Sequence, residues 1–200
     1  MSLVNFTTRE ITCKIVYYGP GRSGKTTNLQ YIYGRVPDSR RGRMVSLATQ
    51  TDRTLFFDFL PLDLGVISGF TTRFQLYTVP GQVYYNATRK LVLQGTDGVV
   101  FVADSQARRL DDNLESLQNL QDNLLSEGVD IRQLPVVFQY NKQDLPTDLI
   151  LAPAEMDDAL NFRAVPSFGA DCLHGTGVFE TLRGISEMVL KRLAAGTPVT

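Results

Sequence analysis

The chain has 200 residues, of which 43% are hydrophobic. This length allows one substantial core and leaves no room for a second full domain, so we expect a single domain over residues 1–195 and a C-terminal tail over 196–200. The 20 basic and 21 acidic side chains nearly cancel. The overall charge therefore favours neither a nucleic acid nor an anionic membrane as a partner.

Cysteine and histidine content narrows the class further. Cys13 and Cys172 are far apart in the sequence, which suits a reducing cytosol and excludes a disulfide framework. His174 is the single histidine, so a zinc site is not expected. The chain shows neither a signal-peptide pattern nor an apolar run of membrane-spanning length. Its first and last residues match no lipidation motif, so we expect a cytoplasmic protein without a direct lipid anchor.

The first predicted elements are a strand, a glycine-rich loop and a helix. An apolar strand-like run covers residues 11–18, and helical spacing covers 26–36. The loop between them has the spacing Gly, four residues, Gly-Lys-Thr, which is typical of a loop that wraps nucleotide phosphates. Its glycines permit backbone conformations that a Cβ would forbid, so several N–H groups can converge on the anion. The residues predicted to contact nucleotide are Gly19, Gly21, Arg22, Ser23, Gly24, Lys25, Thr26 and Thr27, with Lys25 supplying charge and Thr26 a hydroxyl for Mg²⁺.

Further apolar runs predict strands at 54–60, 70–79, 98–103, 135–140 and 162–168, and helical spacing predicts helices at 84–93, 110–125, 154–160 and 178–193. This alternation indicates an α/β fold, with a mostly parallel six-stranded sheet and helices on both faces. No helical pattern separates the second and third strands, so we expect a hairpin there, as the one antiparallel pair at the sheet edge. The stretch 36–50, rich in arginine, serine and glycine, is the best candidate for a mobile loop.

A polar segment, Asn141-Lys142-Gln143-Asp144, follows the predicted strand at 135–140. Ligands of a parallel sheet bind at this end of the strands. The Asp144 carboxylate can accept from N1 and N2 of guanine, a donor pair that adenine lacks, so ATP should bind poorly. Asn141 can hold the loop or contact the base N7, and the Lys142 stem can cover the ring. A plain turn is the alternative for this segment, and an ATP-dependent enzyme is the alternative for the phosphate loop.

Together the two motifs resemble the Ras-like small GTPases of the P-loop NTPase class, over nearly the whole chain. The stretches 14–21, 53–62 and 77–82 more narrowly resemble the MglA group of bacterial cell-polarity and gliding-motility GTPases. The resemblance implies a Ras-like G domain that hydrolyses GTP slowly and acts as a switch, on with GTP and off with GDP, at a cell pole to which partners recruit it. It also implies a dimeric activating partner of the Roadblock class, similar to MglB.

The same resemblance implies roles for individual residues. Gln82, which follows Pro80 and Gly81, is expected to orient the attacking water, with Gly81 beside the nucleotide. Arg53 is the candidate for an arginine finger carried within the chain, and Thr54 joins Thr26 as a Mg²⁺ ligand. A solvated Arg53, a surface Gln82 and a Thr54 that simply begins a strand are the alternatives.

Two positions depart from the Ras-like pattern. Ras-like proteins place aspartate four residues before the glutamine, whereas this chain has Thr78, as MglA-like proteins do. Asp58 is either a substitute for that aspartate or a solvent-facing carboxylate on an edge strand. The second departure follows the last strand, where this chain has Asp171-Cys172-Leu173 and Ras uses serine, alanine and lysine. The resemblance implies that the backbone N–H of Cys172 meets the guanine carbonyl there. Because of Thr78, a second hypothesis stays open, a module that signals by nucleotide occupancy with little or no hydrolysis.

Overall fold

The computed structural model describes residues 3–47, 57–67, 69–82 and 85–195. Within these ranges the strands are β1 (Leu3–Asn5), β2 (Glu10–Tyr18), β3 (Val45–Leu47), β4 (Phe57–Ile67), β5 (Phe70–Thr78), β6 (Gly98–Asp104), β7 (Val136–Asn141) and β8 (Ser167–Ala170). The α-helices are α1 (Lys25–Arg35), α2 (Asn86–Leu93), α3 (Leu110–Ser126), α4 (Pro153–Leu160) and α5 (Val178–Ala194). The predicted tail, 196–200, lies outside the described residues.

The strands form one sheet in the order β3-β4-β5-β2-β6-β7-β8, and β1 pairs with β2. From β5 through β2, β6 and β7 to β8, each strand in this order is parallel to the next, which confirms the predicted α/β fold. The described residues contain eight strands rather than six, and β1–β2, β3–β4 and β4–β5 are all antiparallel. The expectation of a single antiparallel pair was therefore wrong, because β1 and β3 are too short to show a periodic pattern.

Helices cover both faces of the sheet. On β6, the side chains of Val99 and Phe101 join a core that α2, α3 and α4 complete, whereas Val100 and Val102 join a second core with α1 and α5. Burial on both faces explains why this strand is apolar at every position from 98 to 103. Because β2 and β7 are both parallel to β6, the phosphate loop after β2 and the segment after β7 lie at the same end of this sheet.

The hairpin prediction is confirmed, since β4 and β5 pair antiparallel. Strand β4 is longer than predicted and contains a bulge, where Gly65 adopts a positive φ of 77°. The strand predicted at 162–168 was wrong at its start, because Asn161 holds the preceding turn. Its side chain donates to Val165 O at 2.7 Å and accepts from Val165 N at 3.0 Å, so β8 begins at Ser167. The predicted mobile loop at 36–50 contains β3, and its positions 48–50 lie outside the described residues.

A buried polar cluster joins β7 to the two helices on one face. Gln139, fully buried in β7, accepts a hydrogen bond from Asn28 Nδ2 at 2.7 Å and donates to Asn28 Oδ1 at 3.0 Å. Its amide also donates to Thr181 Oγ1 on α5 at 3.0 Å. Because α1 starts directly after the phosphate loop, this cluster ties the loop's supporting helix to the centre of the sheet.

We expect Gln139→Leu to lower the free energy of unfolding by about 1–3 kcal/mol, because Asn28 and Thr181 would lose buried hydrogen-bond partners. Urea unfolding of the two proteins measures the difference. The control is Gln118→Leu, since the Gln118 amide bonds an exposed carboxylate of Asp122 on α3. An equal cost at both positions would contradict a special role for the buried cluster.

Candidate nucleotide site

Two glycines of the phosphate loop lie where a side chain would not fit. A Cβ on Gly19 (φ 144°) would lie 2.1 Å from Val102 O, and one on Gly24 (φ 105°) would lie 2.2 Å from Asn141 Nδ2. Both positions also need a positive φ, which glycine adopts without strain. Gly21 has more room, because a Cβ there would lie at ordinary contact distances from the neighbouring segment, 3.8 Å from Gly81 and 3.9 Å from Gln82.

Three side chains bind the carbonyl groups of this loop. They come from α1, from the segment that precedes α3 and from the end of β7. The bonds run from Lys25 Nζ to Gly19 O (2.9 Å) and Pro20 O (2.6 Å), from Arg109 Nη2 to Gly21 O (3.0 Å), and from Asn141 Nδ2 to Ser23 O (2.7 Å). The first N–H groups of α1 have no partner within the helix. The loop and this helix N-terminus can therefore bind an anion with main-chain N–H groups.

Lys25 is buried beside this loop. The pKa of its ammonium group is lowered from 10.5 to about 7, chiefly by burial and also by the positive charge of Arg89, while Asp58 partly opposes both effects. Phosphate oxygens beside Nζ would favour the charged form again. The site is thus arranged so that the charge of Lys25 is stabilised chiefly by an anionic ligand.

Asp58 is the meeting point of three segments. Its Oδ2 accepts from Thr26 Oγ1 at 2.6 Å and from Thr78 Oγ1 at 2.8 Å, and its Oδ1 accepts from Ser46 Oγ at 2.6 Å. The Asp58 N–H also donates to Thr78 Oγ1 at 2.8 Å. Asp58 is 8% exposed, so the interpretation of a solvent-facing carboxylate was wrong. Position 78 carries a threonine where the Ras-like pattern has an aspartate. Asp58, on the neighbouring antiparallel strand, brings a carboxylate to the same place.

These oxygen atoms fit a magnesium ion. Mg²⁺ binds through one or two carboxylates together with substrate phosphates and water, rather than through an all-protein cage. In the described ranges no group of three or more histidine, cysteine or acidic side chains could hold a metal. The hydroxyls of Thr26 and Ser46 with the carboxylate of Asp58 suit a phosphate-bound cation of this kind. Thr54, the second predicted ligand, lies outside the described residues.

The base-binding segments meet at Asn141. Its Oδ1 accepts from the Cys172 N–H at 3.0 Å, and its amide holds the phosphate loop. The contact of the Cys172 N–H with guanine stays a prediction. Lys142 Nζ pairs with the buried carboxylate of Asp104 at 2.5 Å, which directs its stem along the end of the sheet. Asp144 is exposed and, among the described residues, its carboxylate has no hydrogen bond or ion pair.

Gln82 lines a cavity of about 720 Å³ together with Lys25, Thr26 and Asp58. The main chain before it packs directly on the phosphate loop, since a Cβ on Gly81 would lie 2.2 Å from Gly21 Cα. The exposed side chain of Arg22 also lines this cavity. Arg53, the predicted arginine finger, lies outside the described residues, so its role stays a prediction.

Sequence reasoning missed Arg89, Arg109 and Asp104. Arg109 holds Gly21 O, and Asp104 pairs with Lys142. Arg89 gave a usable signal, because it lies three and four positions before Val92 and Leu93, on the buried face of α2. An arginine within an apolar helical stripe indicates a buried charge with specific partners.

The fold and the phosphate loop define a P-loop nucleotide-binding protein, and comparison with known proteins gives its family. The ADP-ribosylation factor family model matches residues 50–189. The mutual gliding-motility protein MglA of Myxococcus xanthus (strain DK1622) is 57% identical over 98% of this chain and 100% of that protein. ADP-ribosylation factor-like protein 4D of Homo sapiens is 32% identical over 66% of this chain and 65% of its own length. ADP-ribosylation factor-like protein 6 of Caenorhabditis briggsae is 27% identical over 90% of this chain and 87% of its own.

The chain therefore belongs to the ADP-ribosylation factor family of small GTPases, which hydrolyse GTP. Membership implies binding of GTP and GDP and disfavours a module without hydrolysis. Across the described ranges, each helix is too short or too polar to cross a membrane.

The pKa of Lys25 predicts proton uptake on nucleotide binding. Near pH 8.5, about 1.5 units above that pKa, the group is mostly neutral in the free protein, and bound phosphates should charge it. GDP itself contributes no proton there, because the last phosphate ionisation lies near pH 6. Binding should thus take up about one proton, and fewer as the pH falls below 7. Calorimetry in buffers of different ionisation enthalpy measures this, and no uptake near pH 8.5 would contradict it.

Proposed function

We propose that this GTPase is a molecular switch that controls cell polarity and gliding motility in the cytoplasm, with residues 1–195 acting as one domain. Thr54, as a ligand of Mg²⁺, and Gln82 would be held in place in the GTP-bound state, and hydrolysis would release them. The name of the Myxococcus xanthus relative supports the motility role. Recruitment to a cell pole and a dimeric Roadblock-class activator, similar to MglB, are part of the same proposal.

The position of Asp58 is the observation that best supports the proposed switch. One carboxylate bonds Thr26 after the phosphate loop, Ser46 on β3 and Thr78 on β5. Mg²⁺, when bound, neutralises charge on the phosphate oxygens. Thr26 would ligate the ion, and Asp58 would hold the ion or its water. A change at the phosphates would thus reach β3 and β4 through a single buried acceptor, which is how nucleotide state could become a surface signal.

Hydrolysis needs a positioned water and compensation of charge on the γ-phosphate. Gln82 would orient the water, whose oxygen bonds to the γ-phosphorus while the bond to the GDP oxygen breaks, giving GDP and phosphate. Lys25 would compensate phosphate charge, and Arg53 would act as a finger within the chain. The cavity that Gln82 and Lys25 share supports the assignments of these two residues.

Guanine selection is proposed for Asp144. Its exposed carboxylate is available to accept from both N1 and N2 of guanine, and the Lys142 stem would cover the ring. Asn141 would act indirectly, because it joins the phosphate loop to the segment around Cys172. ATP, which lacks the donor pair, should compete poorly with bound GDP.

The catalytic proposal predicts that Gln82→Leu slows single-turnover GTP hydrolysis about 10²-fold, because the attacking water loses its orientation. The dissociation constant for GDP should stay nearly unchanged. The rate is measured on GTP-loaded protein, with and without a Roadblock-class protein. Gln94→Leu, at the end of α2 near Glu127, is the control. Unchanged hydrolysis in Gln82→Leu under both conditions would remove this residue from catalysis.

The metal proposal predicts that Asp58→Asn weakens Mg²⁺-dependent GDP binding by about 10–100-fold, as expected when a carboxylate that supports a metal is lost. Binding in EDTA should change much less. Asp63→Asn is the matched control on the same strand, since Asp63 accepts only from the local Gly65 N–H among its described contacts. Equal losses in the two variants, or a loss that persists in EDTA, would count against a metal role.

A further inference from the structure

Arg89 carries a positive charge into the interior. Its side chain on α2 is fully buried, and a guanidinium stays protonated in proteins. Among the described residues, no carboxylate forms an ion pair with it. A buried charge without an ionic partner is costly unless its N–H groups are hydrogen-bonded. The acceptors of Arg89 therefore decide whether this arrangement is stable.

Two of these acceptors are the carbonyl groups directly before Gln82. Arg89 Nε donates to Pro80 O at 2.9 Å, and Nη2 donates to Gly81 O at 2.6 Å. One planar head group thus holds two consecutive peptide units, which a lysine ammonium could not do with the same fixed geometry. If the segment moved away, the guanidinium would lose both acceptors inside the protein.

The other end of the head group is anchored on a separate element. Arg89 Nη1 donates to Asn119 Oδ1 on α3 at 2.7 Å and to Tyr18 OH at 3.4 Å. Asn119 also accepts from Tyr18 OH at 2.6 Å and donates to Asn86 at 3.1 Å. The guanidinium lies 5.1 Å from the centre of the Tyr18 ring. This network fixes the head group to β2 and α3, so it can act as a rigid support for the segment.

The support reaches the cavity through Gly81. The main chain at Gly81 packs against the phosphate loop so closely that a Cβ on Gly81 would lie 2.5 Å from Gly21 N. Gln82 follows directly and lines the 720 Å³ cavity with Lys25 and Thr26. Holding the carbonyls of Pro80 and Gly81 therefore sets the direction in which the chain enters the cavity.

We propose that Arg89 is a positioning residue for GTP hydrolysis, which holds the Pro80–Gly81 main chain against the phosphate loop so that Gln82 faces the γ-phosphate. The inference rests on the proposed role of Gln82. Arg89 touches neither the nucleotide nor the water in this scheme, and it acts through two main-chain carbonyls.

The test compares Arg89→Met with Arg163→Met. Arg163 is a matched control, because it also donates to two loop carbonyls, Ile131 O at 2.6 Å and Leu134 O at 2.9 Å, before the start of β7 and away from the cavity. Hydrogen exchange is followed in the GDP-bound proteins for a peptide that covers residues 77–88. Arg89→Met should speed exchange there about tenfold or more through local opening, whereas Arg163→Met should leave this peptide unchanged.

Single-turnover hydrolysis supplies the second readout. Arg89→Met should slow it by nearly as much as Gln82→Leu, and the double variant should be no slower than the slower single one, because both changes remove one function. The GDP dissociation constant should stay within about threefold of the parent, a shift of under 1 kcal/mol. Arg163→Met should hydrolyse GTP at the parent rate.

The outcomes separate the two proposals. If exchange at 77–88 is unchanged in Arg89→Met, or if its effect on rate adds fully to that of Gln82→Leu, the positioning role is overturned. If Gln82→Leu hydrolyses normally while Arg89→Met opens the segment, the role of Gln82 fails and the hold by Arg89 stands. Should Arg89→Met not fold, Arg89→Lys replaces it. Lysine keeps the charge but has a single nitrogen atom in place of the three that bind Pro80 O, Gly81 O and Asn119 Oδ1. Faster exchange therefore supports the hold, and parent-like exchange overturns it.

Discussion

The nucleotide site depends on the hydrogen-bond donors that other parts of the fold supply to the carbonyl groups of the phosphate loop. A loop that binds an anion with its N–H groups must place its carbonyls elsewhere, and a buried carbonyl without a donor is costly. Lys25, Arg109 and Asn141 supply those donors from three different elements. They can do so only because the sheet brings the ends of β2, β6 and β7 to one edge. The loop is therefore shaped by the whole fold as well as by its glycines.

Three buried charges lie near that loop and explain why position 78 departs from the Ras-like pattern. Burial and the charge of Arg89 lower the pKa of Lys25 to about 7, and Asp58 partly opposes both effects. Because Asp58 reaches Thr26 from β4, the threonine at position 78 needs only to hold that carboxylate by its hydroxyl. The negatively charged side chain of the site thus lies on the antiparallel part of the sheet, one residue after the start of β4.

The parts of the fold that could be predicted are those with a repeating pattern. Strands buried on both faces, such as β6, gave continuous apolar runs, and the helices gave spacings of three and four. Strands β1 and β3 have three residues each, too few for any period to be seen. The start of β8 was misplaced for another reason, since the Asn161 side chain closes a turn across Val165, and apolar content does not reveal such a bond.

The sequence by itself determined the local chemistry of this protein, the glycine spacing before Lys25, the polar segment from Asn141 to Asp144, and which strand faces are buried. Only the tertiary structure decided which distant groups meet. Asp58 bonds Thr26, 32 positions earlier, and Arg89 reaches across to Asn119 on another helix. The physical reason is that periodicity encodes which side of an element is buried. The pairing of buried polar groups depends instead on how the elements pack in three dimensions, because each group takes whichever partner the packing brings within hydrogen-bond distance.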